Sequence, residues 1–342
     1  HSGDSNKDLK LTLGGNDSLE NAEKFDQLNA PEEPTFEELV EQSVNARGRA
    51  DNITFFAFTA TPTARTLEMF GEKETTLGGE ERFVPFHQYS MKQAIEEGYI
   101  LDVLKNYTTY KTYYRLANNL SGEDPILPKG KAATALARFA SLHPTNLSQK
   151  AEIIVEHFRA NTAKKINGKA KSMVVTRSRL HAVRYKQAID KYISEKKYTD
   201  VRTLVAFSGT VFDPDAPSVE YTEFSMNNIK SKEIPQEFAR SYQVLIVAEK
   251  FQTGFDQPLL HTMYVDKKLS GINAVQTLSR LNRTHPEKED TFVLDFVNES
   301  EEIKEAFRPY FEETSTLPTD PNVLYDLKTQ IESVRILEIG RA

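Results

Sequence analysis

The sequence contains no cysteine, and features of several other protein classes are missing from it as well. The absence of cysteine excludes disulfide bonds and thiolate metal sites, and it fits a reducing compartment. No apolar run approaches the roughly 18 residues that a membrane-spanning helix needs. The opening HSGDSNKDLK is polar and does not look like a secretory signal. We therefore expect a cytoplasmic protein without a membrane partner.

A strongly basic balance is also missing, because the formal net charge of the 342 residues is −7. A protein can still bind nucleic acid through a local groove, so the distribution of charge is more informative than its sum. Nine acidic residues and one lysine lie between Asp17 and Glu41, whereas the stretch from Lys164 to Lys197 is rich in Lys and Arg. Each stretch is either a surface with a charged partner, phosphate in the basic case, or a solvated helix face.

Length and composition describe a globular protein that holds two domains or parts of them: 342 residues, 39% hydrophobic and 27% charged. Short apolar runs are separated mostly by helix-length spacers: Ser172–Val175, Thr203–Phe207, Val244–Val247, Thr262–Val265 and Phe292–Val297. This alternation predicts an α/β fold with a parallel sheet wound by helices. An earlier run, Ile53–Phe58, predicts another strand that is buried on both faces.

Helices are predicted by local signals. Ser90-Met91-Lys92-Gln93 has the capping-box pattern and Gly98 is a natural stop, so we expect a helix over Ser90–Glu97. Helical patterns also occur at 132–141, 148–159, 299–308 and 322–339, and 213–228 is interpreted as an inserted hairpin or loop. The tyrosine-rich segment 101–116 is either a packed aromatic surface or one that stacks on nucleic acid.

The stretch from Gln243 to Arg283 contains the strongest functional signal. A turn-rich loop, Thr253-Gly254-Phe255-Asp256, lies between two of the predicted strands, and a helical pattern follows. Three polar side chains spaced i, i+4 and i+7 are predicted to project from one face of that helix: Gln276, Arg280 and Arg283. Arginine stays charged and offers a fixed fork of donors to phosphate oxygens, so this stripe suits a nucleotide triphosphate. The alternative is a solvated helix face.

Several motifs together resemble those of superfamily 2 helicases, and the wording is similar to the motor (R) subunit of type I restriction–modification enzymes. FQTGFDQP and QTLSRLNR resemble motifs V and VI, FFAFTATPTARTLEMFG resembles motif III, and SMVVTRSR resembles motif IV. FHQYSMKQAIEEGYILDVLKNYTTY resembles the link into the second motor domain and favours the restriction branch. The resemblance runs from Phe55 to Asn298, and it implies RecA-like domains of an ATP-driven DNA translocase joined to an endonuclease.

The resemblance implies roles on the nucleotide side. Second motor domains supply arginine fingers across the ATP cleft, which makes Arg280 and Arg283 the expected fingers, with Arg283 on the γ-phosphate. Gln276 is expected to orient the triphosphate or the attacking water. The further nucleotide-side candidates are Gly254, Asp256, Thr59 and Thr61. Gly254 would let its loop approach the ligand, and Asp256 would bond the ribose or tether an arginine. The threonines would bond a phosphate or the neighbouring domain, or belong to a plain strand-to-helix turn with Pro62 at the first helical position.

A motor must pass every sequence, so its DNA contacts are expected on the phosphate backbone of double-stranded DNA. The candidate contacts are Arg177, Ser178, Arg179 and Thr253. Lys267 and Lys268 are further candidates. Such contacts predict binding that depends steeply on salt.

Two upstream motor elements are missing. Neither a G-x-x-x-x-G-K-[ST] phosphate loop nor an Asp-Glu-x-His box occurs in the sequence. We therefore interpret the chain as a fragment that does not hydrolyse ATP by itself. ATP and Mg²⁺ are expected in the full-length protein, whereas no tightly bound cofactor and no metal site is expected in these residues.

The resemblance also implies an organisation and partners. The expected parts are 1–82 (the end of a first RecA-like domain, with an acidic loop at 15–50 and motif III at 59–62), 83–300 (a second RecA-like domain with motifs IV to VI) and 301–342 (the start of a helical region). The expected partners are the specificity and methyltransferase subunits, and the nuclease would lie upstream. Two alternatives stay open: another superfamily 2 DNA or RNA helicase, and a non-catalytic module that binds DNA or partner subunits.

Overall fold

The computed structural model describes residues 56–75, 81–110, 144–252 and 254–312. These residues group into two compact units, one from residues 95–308 and one from residues 56–94 and 309–312. The predicted acidic loop at 15–50 and the helices predicted at 132–141 and 322–339 lie outside the described residues.

The smaller unit contains a helix, a two-stranded antiparallel sheet and most of a second helix. Its elements are α1 (Ala64–Phe70), β1 (Glu72–Thr75), β2 (Glu81–Val84) and α2 (Met91–Glu96). Thr63 begins α1, because its Oγ1 accepts a hydrogen bond from the N–H of Thr66 at 3.2 Å. On the sheet, Arg82 and Glu74 form an exposed ion pair at 2.7 Å. Local capping and cross-strand pairing therefore organise this unit.

The helix predicted at Ser90–Glu97 is confirmed as α2. Ser90 Oγ accepts a hydrogen bond from the N–H of Gln93 at 3.1 Å, and Gln93 Oε1 accepts one from the N–H of Ser90 at 3.0 Å. This reciprocal pair is a capping box. Gly98 follows with a φ of +77°, the left-handed conformation that ends helices and favours glycine.

The larger unit is built on a six-stranded sheet in which all neighbouring strands are parallel. In chain order its strands and an added hairpin are β3 (Tyr107–Thr109), β4 (Lys171–Thr176), β5 (Thr203–Ala206), the hairpin β6 (Val211–Phe212) and β7 (Glu220–Tyr221), β8 (Val244–Val247), β9 (Leu260–Asp266) and β10 (Phe292–Asp295). The order across the sheet is β3-β10-β9-β4-β8-β5. All of the apolar runs predicted from Ser172 onward are strands of this sheet, which confirms the predicted α/β class, a RecA-like parallel sheet wound by helices.

The edge strand β3 was not predicted. It comes from the tyrosine-rich segment, and the hydroxyl of Tyr107 donates a hydrogen bond to Asp295 Oδ2 at 2.6 Å. Three residues are too few to show a periodic pattern, so only pairing with β10 distinguishes this strand. At Tyr107 the aromatic side chain therefore packs within the protein, as in the first of the two interpretations.

Helices flank the sheet along the chain: α3 (Pro144–His157), α4 (Arg179–Glu195), α5 (Glu223–Asn227), α6 (Ile234–Ser241), α7 (Gly271–Leu278) and α8 (Ser300–Glu312). Ile154 of α3 and Ile189 of α4 join Val174 and Ile246 of the sheet in one core, and all of these side chains are fully buried. Continuous apolar strands are expected where helices cover a parallel sheet. The helices predicted at 148–159 and 299–308 are confirmed as α3 and α8. None of the described helices is long and apolar enough to cross a membrane.

The buried strand predicted at Ile53–Phe58 is wrong for its described part. Residues 56–58 form no strand, and the side chains of Phe56 and Phe58 are 72% and 91% exposed. A strand buried on both faces needs neighbours in a sheet. Within the described ranges no strand pairs with residues 56–58, so the apolar pattern is present there without the partners that would bury it.

Candidate nucleotide and nucleic-acid site

The parallel sheet brings several predicted site segments to one edge. Arg177 follows β4, Glu249 follows β8 and Lys267 follows β9. Because these strands run in the same direction, the loops begin at the same carboxyl edge, where open α/β sheets bind ligands. Motifs IV and V are therefore neighbours in the fold, although they are far apart in the sequence.

The loop after β8 has a constrained backbone. Its φ angle is +63° at Glu249, +65° at Phe251 and +66° at Gly254. The Phe255 side chain anchors the loop, since it is 4% exposed and its ring centroid lies 4.9 Å from that of Phe251 and 6.2 Å from that of Phe238. A Cβ atom at position 254 would meet no atom within 4 Å. Within this chain glycine is therefore favoured by its positive φ and not by close packing.

The single helical stripe predicted for Gln276, Arg280 and Arg283 is wrong, because α7 ends before both arginines. The chain continues in tighter turns, in which the N–H groups of Arg280 and Leu281 donate to carbonyls three residues back, at 3.2 and 3.0 Å. Leu281 is fully buried, and Arg283 pairs with Ile100 in an antiparallel bridge. Tertiary contacts therefore override the local helical pattern.

The guanidinium of Arg280 is held by backbone carbonyls. Its Nε donates to the carbonyl oxygen of Gln276 and its Nη1 to that of Phe255, both at 3.1 Å. Burial and the nearby charge of Arg283 lower the pKa of Arg280, and Asp256 opposes this shift. A guanidinium stays ionised in proteins, so Arg280 remains a cation with a fixed orientation.

Arg283 is held more loosely. Its Nε donates to Asp256 Oδ1 at 3.0 Å, and its Nη1 donates to Asn282 Oδ1 at 3.1 Å. The side chains of Arg283 and Asp256 are 39% and 71% exposed. Exposed ion pairs contribute about 0–1 kcal/mol. An anion can therefore replace Asp256 at little cost, and the geometry contains the arginine contact that was one of two roles expected for Asp256.

Gln276 lies beside a different space from the two guanidinium groups. It lines a pocket of about 210 Å³ together with Glu249, Gln252, Lys267, Asn273 and Thr277. Within this pocket Lys267 Nζ donates to Glu249 Oε1 and to Gln252 Oε1, each at 3.4 Å. The link between Gln276 and the arginines is thus its backbone carbonyl, which receives the Arg280 hydrogen bond.

The predicted DNA-contact residues differ in exposure. Ser178 caps α4, because its Oγ accepts from the N–H of His181 at 3.3 Å, and its side chain is buried. Arg179 is also buried and donates through Nη1 to the carbonyl of Ser208 at 3.1 Å. Arg177 is half-buried, and it is the most accessible of the three. Thr253 lies outside the described residues.

The two further DNA candidates are paired with acids. Lys267 lies 3.4 Å from Glu249, and Lys268 forms an ion pair with Glu302 of α8. The pairing of Lys268 is between exposed groups, and its contribution to stability is small. Both lysines extend from the same edge of the sheet as Arg177.

Thr59 and Thr61 belong to the smaller unit. The N–H of Thr61 donates to Thr59 Oγ1 at 3.1 Å, which forms a local turn; Thr59 is exposed and Thr61 is buried. The threonine that caps α1 is Thr63, so Pro62 precedes the cap and is not the first helical residue. The strand-to-helix turn proposed as the alternative thus exists only in its turn and helix.

Lys288 is a buried residue beside the arginines that the sequence did not reveal. Its side chain is 5% exposed, and its Nζ donates to the carbonyls of Leu281 at 2.7 Å and Arg283 at 2.8 Å. Burial, and then the charge of Arg283, lower the pKa of Lys288 to about 7, against the opposing effect of Asp290. The segment THPEKED is polar, and nothing in its pattern separates a buried lysine from a solvated one.

Comparison with known families agrees with this part of the chain. Residues 100–298 match the model of the family described as type I restriction enzyme subunit R domain 3. That match covers more than half of the 342 residues. It begins before β3 and ends after β10, so it contains the whole six-stranded sheet and both arginines.

Curated relatives carry related names. The endonuclease subunit named for type I restriction enzyme MjaVIIP of Methanocaldococcus jannaschii is 32% identical over 49% of this chain, and the one named for MjaIXP of the same organism is 24% identical over 85%. The type I restriction enzyme HindI endonuclease subunit of Haemophilus influenzae is 25% identical over 85%. The matches span 16, 27 and 28% of those three proteins.

A solved structure was also compared. The ATP-dependent type ISP restriction–modification enzyme LlaBIII bound to DNA aligns with 74% of this chain and 17% of its own chain, at 12% identity and a TM-score of 0.38. A TM-score of that size is below the level at which a shared fold follows, and the assignment rests on the family match. With the parallel sheet and its terminal arginine turn inside the matched residues, this chain belongs to the family of type I restriction enzyme R subunits, in the region called domain 3.

Proposed function

We propose that this chain supplies the arginine side of the ATP cleft and part of the DNA-tracking groove in an ATP-dependent DNA translocase. The observation that supports this role is the contact between motifs V and VI. Arg280 binds the carbonyl of Phe255, and Arg283 binds Asp256, so the loop after β8 aims both guanidinium groups. A pair of fixed cations at the carboxyl edge of a parallel sheet suits a triphosphate.

The chemistry of ATP hydrolysis explains why arginines would be placed there. The reaction needs oriented phosphates, a metal ion and positive charge where negative charge develops. In the full-length protein, ATP and Mg²⁺ would supply the phosphoryl group and its bound metal. Arg280 would keep a fixed position, Arg283 would exchange Asp256 for the γ-phosphate, and Gln276 would orient the phosphates or water. Gly254 would let the loop approach the nucleotide, and Thr59 and Thr61 would bond a phosphate or the neighbouring domain.

The relatives' names support the wider setting of the proposal. They are called endonuclease subunits of type I restriction enzymes, and we infer that the parent protein is a hydrolase of that kind, a type I site-specific deoxyribonuclease. Its partners would be the specificity and methyltransferase subunits and double-stranded DNA. The 342 residues contain no phosphate loop of the G-x-x-x-x-G-K-[ST] pattern, so the chain alone would not turn over ATP.

The first test is ATP hydrolysis by the full-length parent protein with and without duplex DNA. We expect turnover that DNA stimulates, independent of DNA sequence, and no turnover by the isolated 342 residues. Absence of turnover in the parent under both conditions would contradict the motor. Binding of DNA or of partner subunits without turnover would then favour the alternative, a non-catalytic module.

The DNA-groove part has its own test. Replacing Arg177 with glutamine should lower the slope of log affinity against log salt concentration by about 0.9, because one phosphate contact releases about one counterion equivalent on B-DNA. The loss should be the same for unrelated duplex sequences, since the contact is to the backbone. The measurement is duplex binding by the full-length protein across a salt series.

Lys191→Gln is the matched control for Arg177→Gln. Lys191 also carries one positive charge, and it is 75% exposed and paired with Glu195 at 3.8 Å. It lies near the far end of α4, which runs away from the edge that carries Arg177. An equal decrease in slope for both variants would show a general charge effect and would remove Arg177 from the groove.

A further inference from the structure

The main-chain carbonyls around Arg283 need hydrogen-bond donors. The carbonyls that end a helix have no N–H four residues ahead to bond with, and the turns after α7 leave the same need. Lys288 meets it for two of them, since its Nζ lies 2.7 Å from the carbonyl oxygen of Leu281 and 2.8 Å from that of Arg283. Between these two, the carbonyl of Asn282 accepts from the N–H of Leu101 at 2.9 Å.

Lys288 projects from a short segment that is itself anchored. We define residues 284–290 as the strap. At the end of the strap Asp290 lies 2.8 Å from Lys165 and 2.7 Å from His261 Nε2. Within it, Glu287 accepts a hydrogen bond from Asn167 Nδ2 at 2.6 Å. The ammonium of Lys288 is therefore presented from a segment that residues at a distant point of the sequence hold in place.

The two sides of Arg283 are held to different degrees. Its main chain is fixed by Lys288 and by the bridge to Ile100. Its side chain is half-exposed, and its carboxylate partner, Asp256, is more exposed still. When an anion replaces Asp256, the aim of the guanidinium depends on where the main chain places its Cα atom.

We infer that Lys288 is a positioning residue, which fixes the main chain of Arg283 so that its guanidinium points across the nucleotide cleft. This inference rests on the proposed role of Arg283. A buried ammonium is unfavourable unless it is hydrogen-bonded, and here its bonds go to the turn that carries the proposed finger. The low pKa of Lys288 agrees with a cation kept close to another cation.

The test compares two buried lysines in the full-length protein. Lys288→Met should lower kcat for DNA-stimulated ATP hydrolysis by about 10- to 100-fold and leave KM for ATP unchanged, because a misplacement of about 1 Å is worth up to about 100-fold. Lys288→Arg keeps donors for both carbonyls and should recover part of that loss. If Lys288→Met does not fold, Lys288→Gln, whose neutral side chain is shorter, takes its place under the same criteria.

Lys171→Met is the matched control. Lys171 is also 5% exposed and also donates to one backbone carbonyl, that of Tyr242 at 2.7 Å. It lies at the start of β4, on the opposite edge of the sheet from the arginine loop. Both variants should lower the melting temperature, and only the Lys288 variant should lower kcat.

Two results would overturn the inference. One is an equal change of kcat in the Lys171 and Lys288 variants, which would mean a purely structural role. The other is a folded Lys288 variant with normal kcat. Arg283→Ala separates this failure from failure of the proposed function: if Arg283→Ala abolishes turnover while Lys288→Met does not, only the positioning role is wrong. Normal turnover in Arg283→Ala would remove both.

Discussion

Replacing Arg283 with alanine in the full-length protein should lower DNA-stimulated ATP turnover by about 10³- to 10⁵-fold, the range measured for arginine fingers. The expected loss is large because the guanidinium would act on charge that develops in the transition state. The fold should survive, since the contact that is lost in the free chain is an exposed pair with Asp256. Such pairs are worth about 0–1 kcal/mol. The measurement is kcat at saturating ATP and DNA, with the melting temperature taken in parallel.

Two further variants sharpen this result. Arg283→Lys should stay strongly impaired, because an ammonium lacks the planar fork that binds two phosphate oxygens. Arg308→Ala is the control: Arg308 is 67% exposed and pairs with Glu305 at 2.6 Å, so it resembles Arg283 in exposure and partner but lies in α8. Turnover in Arg283→Ala that equals turnover in Arg308→Ala would make Arg283 a surface charge.

The second large effect is on stability. Asp266 ends β9 and is 1% exposed; it accepts a hydrogen bond from Lys150 at 2.8 Å and one from the hydroxyl of Tyr185 at 2.6 Å. Asp266→Ala should lower the free energy of unfolding by about 3–5 kcal/mol, because it leaves a buried ammonium and a buried hydroxyl without their acceptor. Denaturant unfolding of the 342-residue chain measures this change.

An exposed pair provides the comparison for Asp266. Asp200 pairs with Arg159 at 2.9 Å and is 52% exposed, so Asp200→Ala should cost under about 1 kcal/mol. Adding Lys150→Met to Asp266→Ala should recover part of the lost stability, because it removes the unpaired cation. If Asp266→Ala and Asp200→Ala cost the same, the carboxylate of Asp266 is not a buried partner.

The same carboxylate predicts a pH effect. Burial alone would raise the pKa of Asp266, but the charge and hydrogen bond of Lys150 and the hydrogen bond of Tyr185 outweigh it, and the pKa is lowered. A lowered pKa means that the stabilisation is fully present above the ordinary aspartate value of about 3.9 and is lost as the pH falls through the folded-state value. Wild type should therefore lose more unfolding free energy between pH 5 and pH 3 than Asp266→Asn does. Equal losses would contradict this linkage.

The sequence by itself determined the main architecture of the larger unit. The runs that became β4, β5, β8, β9 and β10 are apolar along their length because each strand of a covered parallel sheet is buried on both faces. The capping box of α2 was equally readable, because Ser90 and Gln93 bond within one helical turn. The motif wording was specific enough to indicate the family, which the match over residues 100–298 then showed.

Only the tertiary structure decided how the arginines are held. The spacing of Gln276, Arg280 and Arg283 predicted one helical face, but burial of Leu281 and the bridge to Ile100 end the helix early. Strand β3 and the ammonium of Lys288 likewise depend on residues distant in the sequence: β3 pairs with β10, and the strap that carries Lys288 is anchored through Asp290 by two remote side chains. Local patterns record burial and turn preferences, whereas these features follow from long-range contacts that no window of neighbouring residues contains.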